Sequence, residues 1–201
     1  MNKKIHLLCC LSIALVIFFI MLSDTHATVL KKMNTKELTN RANAIVVGKV
    51  KSILSQWGDD GTKIYTCITV SVEKCVKGTI PSSEITIRQL GGEVGGIGLK
   101  VVGAPEYTEG EDILAFLEGE RLQNRHLSTK PNDYFQCVGM AQGKYTIKTD
   151  ESTRRRILVR EIDRFEEKRL DLRSPEEGER KLFLDDFISQ INAIIDNEEK
   201  K

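Results

Sequence analysis

The stretch "KIYTCITVSVEKCVKG", Lys63 to Gly78, decides the fold class. Ile64, Ile68, Val70, Val72 and Val76 fall on even positions, and Tyr65, Cys67, Thr69, Ser71, Glu73 and Cys75 fall on odd ones. Period-two alternation places the two sets on opposite faces of a β-strand. A strand of this length bends around a barrel or sandwich to keep its apolar face covered.

Upstream, Asn34-Thr35-Lys36-Glu37 has the spacing of a capping box and predicts a helix over Thr35–Ala42. "AIVVGKVKSIL", Ala44 to Leu54, predicts a half-buried strand with Val46, Val50 and Leu54 on one face and Lys49 and Lys51 pointing away. "SQWGDDGT" reads as a turn punctuated by Gly58 and Gly61. Downstream, "TIPSS" is a turn and "EITIRQL" a strand. "EYTEGED" is a polar turn, and "ILAFLEGE" is apolar on both faces and hence a central strand. "RLQNRHLSTKPND" is a polar loop, "YFQCVGMAQGKYTIKTD" two strands around Gly143, and "ESTRRRILVRE" a further strand. Asp163 to Gly178 mixes both charge signs as a linker does. Phe183, Phe187, Ile191 and Ile194 or Ile195 recur at helical spacing, which predicts an amphipathic helix docked on the sheet.

The N-terminus reads differently. Met1 to Lys4 is basic, Ile5 to Leu22 is apolar, and Ser23 to Ala27 is small and polar. That order predicts a secretory signal peptide over residues 1–27, with an uncleaved membrane anchor as the alternative. The organisation expected is a signal peptide over 1–27, a β-barrel domain over 28–150, a charged strand and linker over 151–178, and a helix over 179–198. Export places the protein in the periplasm or outside the cell, and a membrane enters only if the N-terminal segment stays uncleaved. Without Lys3, Lys4 and Asp24 the 30 basic and 29 acidic residues become 28 of each. A balanced charge argues against nucleic acid as a partner.

Cys67, Cys75 and Cys137 remain after such a cut. Cys67 and Cys75 in one strand would lie roughly 26 Å apart, too far to bond. A bridge is therefore expected from Cys137 to Cys67 or Cys75, with unbridged thiols as the alternative. His126 is the one histidine left, which excludes a zinc site built on two or three histidines. No metal or cofactor is expected. Glu106, Glu109, Glu111 and Asp112 crowd one turn and read as a solvated loop or a weak calcium site.

"QLGGEVGGIGLKVVGAP", Gln89 to Pro105, carries Gly91, Gly92, Gly95, Gly96, Gly98 and Gly103. No Lys directly follows any of these glycines, so this is not a P-loop. Val101 stands where a dinucleotide fingerprint needs its third glycine, and strand formers follow instead of a helix. Glycines within a strand mark a bulge, a corner or close backbone approach. Gly91-Gly92 and Gly95-Gly96 flank Glu93 and Val94 like a hairpin tip or a bent edge, with a strand resuming over Leu99–Val102. Such a rim also exposes backbone groups that a partner's strand can pair with.

The segments "RANAIVVGKVKSI", "YTCITVSVEKCVKG", "QLGGEVGGIGLKVVGAPEYTEGEDILAFL" and "VGMAQGKYTI" together resemble a family of exported bacterial proteins of unknown function. Gly48, Lys77, Gly78, Glu93, Pro105, Gly143 and Lys144 carry the resemblance, which spans Leu38 to Ile147. A more distant likeness is to netrin-like, OB-type barrels, the fold of tissue inhibitors of metalloproteinases. It implies an exported protease as one candidate partner. The N-terminal cysteine by which those inhibitors reach a catalytic zinc has no counterpart at Thr28-Val29.

These readings converge on a mainly β protein: a small antiparallel OB-like β-barrel with a short N-terminal helix and a C-terminal amphipathic helix. The function expected is a non-catalytic binding module for an exported protein partner. Its site is expected at Gly91, Gly92, Glu93, Gly95 and Gly96, with Gln142 and Lys144 from the second motif. Lys144 pairing with Glu93 across strands is the purely structural alternative. The competing functions are an enzyme of unrecognised type using Glu93, Lys144 or His126, and a membrane-anchored structural protein of the envelope.

Overall fold

A computed structural model describes residues 32–80, 82–119, 134–160 and 181–200. The expected signal peptide or anchor over 1–27, His126 with its polar loop, and the linker from Asp163 to Gly178 lie outside the described residues.

The described chain is mainly β. It begins with helix α1, Thr35–Arg41, closed by the expected capping box: Asn34 accepts from the Glu37 amide at 2.9 Å, and Glu37 accepts from the Asn34 amide at 2.8 Å. At the other end Lys77 Nζ donates to the carbonyls of Thr39 and Ala42 at 2.6 and 2.8 Å. A cation there offsets the negative end of the helix dipole. Burial pulls the Lys77 pKa below the ordinary lysine range, against the opposing charge of Glu198.

Ten strands follow: β1 Ala44–Trp57, β2 Ile64–Lys77, β3 Glu84–Leu90, β4 Gly92–Val94, β5 Ile97–Leu99, β6 Asp112–Gly119, β7 Tyr134–Cys137, β8 Lys144–Thr149, β9 Arg156–Arg160 and β10 Leu182–Phe183. Helix α2 spans Leu184–Glu199 and carries Asp185 and Asp186 in its first turn. Eight strands form one sheet in the order β1-β2-β3-β7-β6-β8-β9-β10, and β1 also pairs with β6. Hydrogen-bonded neighbours from β1 through β2, β3, β7 and β6 therefore lead back to β1. All of these pairings are antiparallel except β3 with β7, which is parallel. Strands β4 and β5 make a separate two-stranded sheet.

Two cores explain the apolar patterns. One gathers Ala44, Val46, Val50, Ile68, Val70, Ile87, Ile113, Ala115 and Leu117 from facing strands. The other sets Ile45, Val47, Leu114 and Phe116 against Leu38 of α1 and Leu184, Phe187, Ile188 and Ile191 of α2. Strands β1 and β6 thus feed alternate side chains into both cores, which is why "ILAFL" is buried on both faces. Phe116, Tyr145 and Phe187 lock the helix side, with ring centroids 5.2–6.2 Å apart.

The structure corrects several expectations. Strand β1 runs on to Trp57, so the turn begins at Gly58 and not at Ser55. Leu54 is exposed, and Ile53 packs on the inner core in its place. The cause is a β-bulge: Val50 pairs with Val70 but Ser52 with Thr69, so Lys51 is the extra residue and later side chains swap faces. After the glycines the strand is Ile97–Leu99 and not Leu99–Val102. Phe183 belongs to β10, and the helix starts one residue later. Among the described residues no disulfide joins Cys137 to Cys67 or Cys75, the bridge expected.

Candidate functional site

The glycine segment folds as a hairpin. Gly92 pairs with Leu99, Glu93 with Gly98 and Val94 with Ile97. Gly95 and Gly96 form its tip with φ of 59° and 80°, the left-handed pair that a two-residue turn joining twisted strands requires. The hairpin lies over the far ends of β1 and β2. Thr66 Oγ1 donates its only proton to the Gly91 carbonyl at 2.7 Å. Ser55 Oγ must then be the donor in its 3.0 Å bond to Thr66 Oγ1. A Cβ on Gly92 would collide with both hydroxyl oxygens, so this close approach needs glycine.

Between the hairpin and the sheet lies a cleft of about 790 Å³. Ile53, Thr66 and Ile68 line it from β1 and β2, Gln89 from β3, and residues 98–108 form the opposite wall. Its volume falls in the range of ligand-binding clefts. Glu93 and Lys100 both border it, with opposite charges. The Gln89 Oε1 atom is buried and accepts no hydrogen bond among the described residues.

Of the residues expected in the site, Gly91, Gly92 and Glu93 line the cleft, whereas Gly95 and Gly96 form the hairpin tip beyond it. Gln142 and Lys144 are 1% and 3% exposed and do not line the cleft. Gln142 Oε1 accepts from the Met33 amide at 2.6 Å, and its backbone carbonyl accepts from the Arg160 guanidinium at 3.1–3.2 Å. Lys144 does not pair with Glu93. Its ammonium donates to Glu111 Oε1 and the Glu106 carbonyl, each at 2.7 Å, and to Thr146 Oγ1 at 3.3 Å. All three protons are used, and the ion sits 5.3 Å from the centre of the Tyr107 ring. Lys144 therefore braces the cleft wall from behind, through the Glu106 carbonyl and the Tyr107 ring.

The acidic turn resolves the same way. Glu111 neutralises Lys144, and Glu109 accepts from the Ile53 amide beside the bulge at 3.1 Å. Among the described residues no group of three or more His, Cys, Asp or Glu side chains is placed to hold a metal ion. None of their helices is long and apolar enough to cross a membrane.

Sequence reasoning missed Gln89, Ser55, Thr66 and Gly98 as parts of the site. Gln89 and Gly98 lay inside the quoted glycine stretch, but only the fold turns Gln89 inward. Ser55 and Thr66 carry no signal beyond being hydroxyls near strand ends.

No protein-family model and no curated protein matches this chain. Function has to be argued from the site itself.

Proposed function

We propose that this chain is an exported, non-catalytic binding module: a small OB-like β-barrel that takes a protein partner at the cleft beneath its glycine hairpin. The barrel reading is supported by the pairings that return from β6 to β1, by the single parallel pair β3–β7, and by a core enclosed by β1, β2, β3, β6 and β7. Export is supported by the basic, apolar and small-polar order of residues 1–27.

One observation carries the binding reading. Leu54, Trp57, Leu90, Ile97, Leu99 and Val102 are the large exposed apolar residues among those described, and each lies at the far end of β1 or within residues 90–102. Val102 is 91% exposed. Apolar side chains gathered in this way mark an interaction surface. Lys144 is 3% exposed and does not line the cleft, so its ammonium is not presented to a ligand there.

The test is affinity capture from the native secreted fraction, with Glu93→Lys as the control. A partner held by the wild type and lost with the folded variant supports the reading. Retention of the same partners by both proteins refutes it.

A further inference from the structure

Building on the reading of the cleft as the binding site, we infer that the β4–β5 hairpin is a flap. It turns as one rigid unit on glycine hinges at Gly91–Gly92 and Gly103, and its position sets the width of the cleft.

The hairpin is a unit of its own. It forms a two-stranded sheet apart from the eight-stranded one, closed by a tight tip at Gly95-Gly96. Among the described residues, no hydrogen bond or ion pair joins residues 92–100 to any other part of the chain. The polar attachments stop at the two ends. The Gly91 amide donates to the Ile64 carbonyl at 2.8 Å, and the Gly91 carbonyl accepts from Thr66 Oγ1. On the other leg the Gly103 carbonyl accepts from the Ala141 amide at 3.0 Å. A segment joined in this way opens at a lower free energy than the body of the sheet.

Glycine stands at each attachment. Gly91, Gly92 and Gly103 have φ of 109°, 127° and 83°. Glycine passes between such values and negative φ at little steric cost, and hinge motion concentrates in a few residues that absorb the change. Gly92 lies against Ser55 and Thr66, so the pivot carries no side chain to jam against their hydroxyls. Lys100 to Glu111 form no helix or strand, which gives the second leg slack.

Apolar surface supplies the force. Ile97 and Leu99 are 57% and 38% exposed, and Leu99 lines the cleft together with Ile53 and Ile68 of the sheet. Turning the hairpin toward the sheet removes that surface from water, as does a partner seated between them. The empty cleft is therefore drawn toward a narrower state, and a partner holds the wider one.

The test is NMR relaxation dispersion and residual dipolar couplings on the full chain, free of any partner. Residues 92–100 should share one exchange process on the microsecond-to-millisecond scale and one alignment tensor distinct from that of β1 and β2. Gly103→Ala, whose Cβ meets only Met140 at 3.8 Å, restricts the second hinge. It should change the ratio of the two states about fivefold across all of these residues. Alkylation of Ile53→Cys by iodoacetamide, followed peptide by peptide by mass spectrometry, reads access to the cleft. Its rate should change by the same factor when Gly103→Ala is added.

Residues 92–100 that show no exchange and share the tensor of β1 and β2 overturn the flap, as does a different rate at each residue. Exchange that Gly103→Ala leaves unchanged removes the hinge. An Ile53→Cys rate that stays constant while the exchange changes overturns the gating. Each of these results leaves the protein-binding reading intact. A flap that moves and gates, in a protein that holds the same secreted partners with or without Glu93→Lys, refutes the binding reading alone.

Discussion

Lys144 Nζ donates to Glu111 Oε1 at 2.7 Å in a pair whose side chains are 3% and 13% exposed. The two residues are 33 positions apart and join β8 to the turn between the cleft wall and β6. Thr146 Oγ1 also donates to Glu111 Oε1, at 2.5 Å, so the carboxylate is held from two sides. A buried pair adds little over an apolar replacement of both partners, but removing one partner strands the other charge.

Lys144→Met should therefore destabilise the protein by about 3–5 kcal/mol, which for a chain of this size lowers Tm by roughly 6–20 °C. Lys144→Met combined with Glu111→Leu should recover much of that loss. Differential scanning calorimetry of the single and double variants checks both statements.

Acid should weaken the turn after β8. Asp150 accepts from Lys181 Nζ at 2.6 Å, and from Thr153 and Ser152, and these bonds hold its carboxyl well below the usual carboxylate range, Lys181 first. With a depressed pKa in the folded state, the unfolded chain takes up the proton first as pH falls. The stabilisation is present above the unfolded value of about 4 and is lost as pH drops below it. Thermal unfolding between pH 6 and pH 2 should show a shallower acid limb for Asp150→Asn than for the wild type.

The glycines should separate into two classes. Gly92→Ala drives a Cβ into Ser55 and Thr66 at a residue with φ of 127°, and should destabilise by about 1–3 kcal/mol. Gly98→Ala meets no atom and should stay within about 0.5 kcal/mol of wild type. Urea denaturation of the two variants tells them apart.

The bulge makes a prediction of its own. Ile53→Ala opens the inner core and should cost about 1–2 kcal/mol, since the side chain is only partly buried. Leu54→Ser, at a residue 63% exposed, should cost less than about 0.5 kcal/mol. The reverse order in denaturant midpoints would place Leu54 inside and remove the bulge at Lys51.

The sequence by itself determined the local elements. The alternation from Ile64 to Val70 appears as buried even positions and half-buried odd ones, and the Asn34–Glu37 capping box forms as its spacing requires. The doubly apolar run "ILAFL" is a central strand, and Phe187 and Ile191 dock α2. Each of these follows from residues within one or two turns of each other, where periodicity and side-chain chemistry are sufficient. Tertiary structure alone decided the rest. It swapped Ile53 for Leu54 through a bulge set by pairing with β2, made the one parallel pair between β3 and β7, and gave Lys144 to Glu111 and not to Glu93. It also made Gly92 indispensable to a hydroxyl pair contributed by two other strands and left Gly98 with no steric duty. Register, bulges and ion-pair choice depend on groups distant in sequence, whose approach is settled only when the strands pack.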